Sequence, residues 1–313
     1  MFLKDKITFL KQKSELINQC RVFFLEKGYW EAETPIISRF ASIEEHIDSV
    51  PAYPLGDNKQ SLYLVTSPEY FMKRLIAHGA GDCFQISKVF RQCEIGDLHN
   101  PEFTMLEWYK MNCDTDQLID EIDELISLIL KTKGHQKITY HDLFRQYTDV
   151  ELDEFTLAML PKLAGASSAE VSDQMVTKQE GVDYVFSFLI QPQLGWDQLL
   201  FVTDFPKDQA SLALINMDGK TAQRFEAFYR GVELCNGYAE LVDSDLLSDR
   251  FDEINQKRAI LGKNTYEPDH ELLNDLKGDF PPCCGVALGL DRLIMLALKQ
   301  EKLSSVLAFP LEN

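Results

Sequence analysis

Between Phe90 and Met111 the chain reads FRQCEIGDLHNPEFTMLEWYKM, mixing charges and aromatics that neither a core strand nor a surface loop needs by itself. Arg91 could hold a phosphate bidentately, with His99 and Asn100 donating further hydrogen bonds to a polyanion. Beyond that loop, alternation sets Phe103, Met105, Glu107 and Tyr109 on one strand face, and Thr104, Leu106 and Trp108 on the other. Glu107 then sits among apolar neighbours, where a carboxylate is costly unless a cation or a ligand site meets it. The plain alternatives are an edge strand whose Glu107 faces water, and a mobile loop ahead of it.

Two further constellations carry charge. Glu233 and Glu240 lie 240 − 233 = 7 apart, on opposite faces of a straight strand. Between them Asn236-Gly237 tolerates positive φ and could bend or bulge the chain until the carboxylates converge. Two such groups beside phosphates suit Mg2+; a solvated acidic turn is the alternative. In GVALGLDRLIML, Leu293 and Ile294 read as packing residues and Gly289 permits close backbone approach. Arg292 stands in the first helical turn beside Asp291, otherwise a surface ion pair of little worth. Other chemistries lack their marks: there is no Walker loop, no Gly-x-Ser-x-Gly and no zinc-type Cys/His spacing. Cys283 and Cys284 are adjacent and ill placed to chelate one ion, and no Ser or Cys near His99 has a nucleophile's setting.

These residues need a frame. Apolar spacing predicts a helix from Ile7 to Lys27, ended by Gly28. SLYLVTSPEYFMKRLIAHG reads as strand, break and helix, capped by Thr66 or Ser67 with Pro68 in the first turn. DCFQISKVFR is a strand ending at Arg91, followed by one from Phe103 to about Lys110 and an acidic amphipathic helix from Asp114 to Lys133. Residues 150–185 read as a helical insertion without a motif. Strand signals return at Leu199, helices follow near 245–261 and 271–277, and a short strand enters the last helix. Strands without regular intervening helices predict an α+β fold, an antiparallel β-sheet flanked by helices, as a single domain over 1–313.

At 313 residues and 45% hydrophobic, the chain can bury one full core. No run of about 18 uncharged apolar residues offers a membrane span, and the charged start lacks a signal peptide's apolar heart. Seven cysteines without framework spacing fit reduced thiols in a cytoplasm. A formal net charge of −19 disfavours a nucleic-acid partner and suits a basic surface.

In their order, these segments resemble the three signature motifs of class II aminoacyl-tRNA synthetases: KGYWEAETPIIS with Pro35, FRQCEIGDLHNPEFTMLEWY, and GVALGLDRLIML. SPEYFMKRL and RGVELCNGYAEL resemble the lysyl branch. The chain begins almost directly at the helix before the first motif, without that branch's anticodon-binding OB domain. It is thus most similar to the truncated lysyl-synthetase paralogues that attach (R)-β-lysine to translation elongation factor P, and a tRNA partner is not expected. The resemblance implies a class II catalytic core, ATP and Mg2+, (R)-β-lysine or lysine as substrate, elongation factor P as acceptor, and a homodimer formed through the first motif. It also implies roles. Arg91 would hold the α-phosphate, Phe103 and Arg292 would sandwich adenine, and Gln92, Cys93, Glu94, His99, Asn100, Leu234 and Gly289 would complete the ATP site. Glu233 and Glu240 would position Mg2+. Ser67, Pro68, Glu69, Glu107, Tyr109, Asn236, Glu240 and Ala287 would surround the amino acid. Two departures stand out: Cys93 takes the place of the usual motif glutamate with Glu94 after it, and Ala287 replaces a glycine, which could favour the displaced amine of β-lysine.

Overall fold

A computed structural model of the chain describes residues 3–53, 61–92, 94–164, 175 and 177–311. In chain order it forms α1 (Leu3–Glu26), β1 (Trp30–Glu31), β2 (Ile37–Ser38), β3 (Val50–Ala52), β4 (Leu62–Leu64), α2 (Glu69–Ala77), β5 (Cys83–Phe90), β6 (Glu102–Met111) and α3 (Thr115–Leu130). After these come β7 (His135–Thr139), α4 (Tyr140–Thr148), α5 (Leu160–Ala164), α6 (Lys178–Tyr184), β8 (Leu199–Pro206), β9 (Thr221–Tyr229) and β10 (Val232–Ala239). The chain then runs through α7 (Ser244–Ile260), α8 (His270–Asp275), β11 (Cys283–Gly289) and α9 (Leu290–Ala297). Two compact units emerge, one of residues 1–131, 211–213 and 237–313, the other of 132–210 and 214–236.

In the first unit the strand order is β1-β5-β6-β11. β5 and β11 both run antiparallel to β6, with Gln85 and Ala287 opposite Glu107, and Gly285 opposite Tyr109. β6 is thus a strand with neighbours on both sides, and Glu107 is not at an edge facing water. The alternation predicted for β6 is realised. Leu106 and Trp108 face α1 and α3, where Phe24 stacks on Phe84 at 4.9 Å and meets Trp108 at 4.9 Å. Burying each such side chain contributes about 1.5–3 kcal/mol, enough to seat β6 firmly whatever its other face carries.

Polar groups within this apolar layer are partnered. Glu121 of α3, itself buried, accepts from Tyr29 Oη at 2.7 Å, Trp108 Nε1 at 3.1 Å and Lys110 Nζ at 2.8 Å. Asp114 closes a capping box with Gln117 at the start of α3. Asp291 corrects the reading of a surface pair with Arg292: it is buried, accepts the Thr104 amide at 2.7 Å and pairs with Lys13 of α1. It is a bolt between α9, β6 and α1.

In the second unit the order is β10-β9-β8-β7, with β7 parallel and β9 antiparallel to β8. Its core gathers Tyr140, Phe144, Phe155, Phe186, Phe205 and Phe228. The described part of 150–185 consists of short helical turns, among them α5 and the start of α6. The expected break at Asn236-Gly237 is not seen: Val232–Ala239 runs as one strand, and Gly237 is not among the described glycines with positive φ.

Glu121→Ala would leave two buried donors and the Lys110 ammonium without their acceptor. We expect a loss of about 3 kcal/mol, read as a lower urea midpoint at unchanged slope, whereas Glu124→Ala on the exposed side of α3 should cost under about 0.5 kcal/mol.

Candidate active site

The polar face of β6 meets α2. Pro68, expected in the first turn of α2, stands at its N-cap, and no side chain caps there. Ser67 Oγ instead accepts the Glu69 amide at 3.2 Å, while Thr66 Oγ1 donates to Glu44 at 3.2 Å. One turn on, Lys73 is fully buried, with Nζ 2.6 Å from Glu69 Oε1 and 2.6 Å from Glu240 Oε2. Glu240 follows β10 and is tied to β11 by its amide, which donates to the Cys283 carbonyl at 3.0 Å. A buried ammonium without partners would cost several kcal/mol; two carboxylates at this distance offset that.

Glu107 completes the cluster. It is 2% exposed; Oε1 accepts from Tyr109 Oη at 2.8 Å, and Oε2 has no hydrogen-bond partner among the described residues. Burial, then the charges of Glu69 and Glu240, push its carboxyl well above the usual range, against the pull of Tyr109 and Lys73. Burial likewise raises Glu240, to about 7, with Lys73 pulling it down and Glu69 adding to the rise. Burial opposes the charge on Lys73, but Glu240 and Glu69 outweigh it and raise its pKa. The tightness shows at Gly285: a Cβ there would collide with Glu240 Oε1 and the Tyr109 ring. Ala287, directly across from Glu107, packs at the rim of the Val65, Val89 and Met105 cluster.

The loop after β5 is pinned at many points. Arg91 N donates to Pro101 O at 2.9 Å, Gln92 N to Asp48 O at 2.9 Å, and Leu303 N to Asp97 O at 2.8 Å. The Asn100 side chain bridges the Glu102 carbonyl at 2.6 Å and the Leu311 amide at 3.0 Å. Arg292 Nε donates to Leu98 O at 3.2 Å, and its Nη2 lies 2.8 Å from His99 Nε2. The mobile-loop alternative does not hold for its described residues; Cys93 lies outside them. The Arg91 guanidinium lies 5.1 Å from the Phe103 ring centre, with Glu94 3.9 Å from Nη1 and a buried Nε that has no partner among the described residues. Glu44 connects the two ends. Burial raises its carboxyl, Arg91 opposes that rise, and Glu69 adds to it.

The first unit therefore brings together Ser67, Pro68, Glu69, Glu107, Tyr109, Glu240 and Ala287, and sets Arg91 on Phe103 and Arg292 beside His99. Gly289 is the N-cap of α9. Glu233, Leu234 and Asn236 belong to β10 in the second unit, where Asn236 Oδ1 accepts from Arg224 at 3.2 Å. Sequence reading missed Lys73, Glu44 and Gly285. Of these only Lys73 left a signal, its i,i+4 spacing from Glu69. Among the described residues no three or more His, Cys, Asp or Glu side chains gather to hold a metal unaided.

This arrangement pairs a desolvated cluster of carboxyl groups around the Lys73 ammonium with an arginine edge at Arg91 and Arg292. The family model for class II tRNA synthetases (D, K and N) matches residues 4–313. The chain belongs to that family. Membership implies ATP use, generally with Mg2+. Similar chains include the elongation factor P (R)-β-lysine ligases of Buchnera aphidicola, 40% identical over 311 residues, and Pectobacterium atrosepticum, 39% over 309. In both matches the alignment covers 97% of this chain and 95% of the relative. The ligase of Mannheimia succiniciproducens is 38% identical over 312 residues, covering 98% and 96%.

Glu107→Gln tests the strain in the acidic pocket. A carboxyl raised by folding holds its proton while the unfolded chain's ionises, so stability falls as pH rises from the unfolded value of 4.5. The variant should match wild type at pH 4 and exceed it at pH 8 by on the order of 1 kcal/mol, read from urea midpoints.

Proposed function

We propose that this chain is an ATP-dependent carbon–nitrogen ligase that activates (R)-β-lysine, or lysine, as an acyl-adenylate and transfers it to a lysine ε-amine of translation elongation factor P. The observation that carries this reading is the buried Oε2 of Glu107, without a hydrogen-bond partner among the described residues, in a cluster with Glu69, Glu240 and Tyr109. Such a group asks for a cation, and an aliphatic ammonium is the cation an apolar-walled pocket can desolvate. The names of the relatives supply the acceptor.

In the first step the amino acid's carboxylate attacks the α-phosphorus of ATP, and the bond to the β-phosphate breaks to release pyrophosphate. Arg91 holds the α-phosphate through the edge that carries its unpartnered Nε, with Phe103 beneath the guanidinium. Arg292, anchored on Leu98, lies against adenine opposite Phe103, and Gln92, Glu94, His99 and Gly289 frame the nucleotide, Glu94 standing in for the motif glutamate at Cys93, while Asn100 braces the loop through the backbone. In the second step the acceptor's neutral amine attacks the acyl carbonyl, AMP leaves, and the amine's proton is lost as the amide forms. No protein nucleophile is needed, so catalysis is positioning and charge neutralisation. Bound Mg2+ would neutralise phosphate charge. Glu240 is held by Lys73 and serves the substrate amine rather than the metal. Ser67, Pro68 and Ala287 shape the rest of the amino-acid pocket. The cytoplasm fits the six described cysteines, all free, and no described helix is long and apolar enough to cross a membrane.

ATP–pyrophosphate exchange run across lysine isomers, followed by mass analysis of added elongation factor P, tests this. We expect exchange with (R)-β-lysine, one lysyl addition on the factor, and negligible charging of total tRNA. No exchange with any lysine isomer overturns the reading. In the same assay Ala287→Gly should shift the β-to-α preference about fourfold, the worth of one methyl, and an unchanged ratio removes Ala287 from the specificity account.

The apolar residues Val22, Leu25, Trp30, Ile36 and Ile37 are exposed around the first motif, which supports a homodimer formed there. Light scattering should then read 2 × 35.9 = 71.8 kDa, and a mass of one chain at micromolar concentration would refute it.

A further inference from the structure

We propose that Lys73 is a positioning residue that sets the charge of the amino-acid pocket: a built-in ammonium that holds Glu69 and Glu240 apart and offsets their charge, for a substrate carrying two further ammonium groups. The inference rests on the lysine-activating reading above and deepens it.

The argument is one of charge and distance. Three carboxylates, Glu69, Glu107 and Glu240, surround one buried ammonium whose Nζ is 2.6 Å from two of them. As formal charges, three carboxylates against one ammonium leave 3 − 1 = 2, the count that a lysine isomer with two ammonium groups neutralises once it displaces the proton Glu107 holds. Without Lys73 there would be three, and like charges at this range in a dry site cannot all ionise. Lys73 also separates the work. It hydrogen-bonds Glu69 Oε1 and forms an ion pair with Glu240 Oε2, whereas among the described residues only Tyr109 hydrogen-bonds Glu107, so Glu107 keeps an open oxygen for the incoming amine. The groups that bear on Glu240 are Lys73 and Glu69 from α2, Glu107 and Tyr109 from β6, and the Cys283 and Cys284 thiols of β11. Lys73 is the only cation among them. Position matters as much as sign. Gly285, having no side chain, gives Glu240 Oε1 its place against the sheet, while the ammonium fixes the other carboxylate oxygen.

The test compares Lys73→Met and Lys73→Arg in lysine-dependent ATP–pyrophosphate exchange over pH 5.5–9. For Lys73→Met we expect KM for the amino acid to rise at least tenfold, KM for ATP to stay within twofold, and the acid limb to move up by one pH unit or more as Glu240 holds its proton. Lys73→Arg keeps the charge and should keep the wild-type acid limb while losing amino-acid affinity, because a planar fork cannot place one nitrogen between two carboxylates. A Lys73→Met profile that overlays wild type, or a kcat loss with both KM values unchanged, overturns the proposal and leaves Lys73 a structural filler. Should Lys73→Met not fold, Lys73→Arg decides alone: a shifted acid limb refutes the charge account, an unshifted one supports it. Wild type that activates no lysine isomer would instead refute the underlying reading, so the two failures are distinguishable.

Discussion

A carboxyl group on a strand with neighbours on both sides, facing a packed helix, is the constraint around which the first unit is arranged. Glu107 cannot reach water by fraying, because β5 and β11 hold β6 on either side. Nor can the strand roll to expose it without lifting Leu106 and Trp108 out of the layer formed with Phe24 and Phe84, at a cost of several kcal/mol. The sheet therefore commits its own apolar energy to keeping a carboxyl group dry. Everything near Glu107 is shaped by that commitment. Gly285 makes space, Tyr109 donates one hydrogen bond, and α2 brings the only cation of the cluster.

Much of this was legible in the sequence, and the reason is periodicity. Alternation from Phe103 to Tyr109 is a local property, so the faces of β6 could be read before any partner strand was known. Charge pairing is not local, and there the reading failed in a consistent direction. Asp291 was taken with its neighbour Arg292, but its partners are Thr104 and Lys13, which only the fold brings near. Lys73 drew no notice because a Glu-x-x-x-Lys spacing on a helix is commonplace; its meaning depends on Glu240 arriving from a distant strand end. Asn236-Gly237 failed for the opposite reason. Its local preference for a turn was real, but pairing within β10 overrode it.

The anion end is built by other means. Its loop contains little apolar surface, so it is held by hydrogen bonds: Asn100 spans two backbone groups, Arg292 reaches the Leu98 carbonyl, and Gln92 ties to Asp48. Asp291, buried behind Arg292, fixes α9 against β6 and so sets where that arginine begins its reach. Motif residues that look alike in sequence thus divide in the structure. Arg91 offers an unpartnered Nε to a ligand, while Asn100 directs its whole amide to the backbone. The second kind of residue makes the first kind accurate.

The two ends consequently differ in what they tolerate. Beside Glu107 a side chain at Gly285 would strike Glu240 and Tyr109, and the carboxyl groups act on one another's charge, so this end is coupled and intolerant of change. Arg91 and Glu94 are partly open to solvent at 25% and 29% side-chain exposure, and their 3.9 Å contact is loose. Charges in that setting interact through water and are worth little to one another. A change at Glu94 would therefore disturb the fold little. A comparable exchange beside Lys73 would leave a buried charge uncompensated. Under the proposed function, selectivity for the amine is written into the core of the unit, and affinity for the phosphates into its rim.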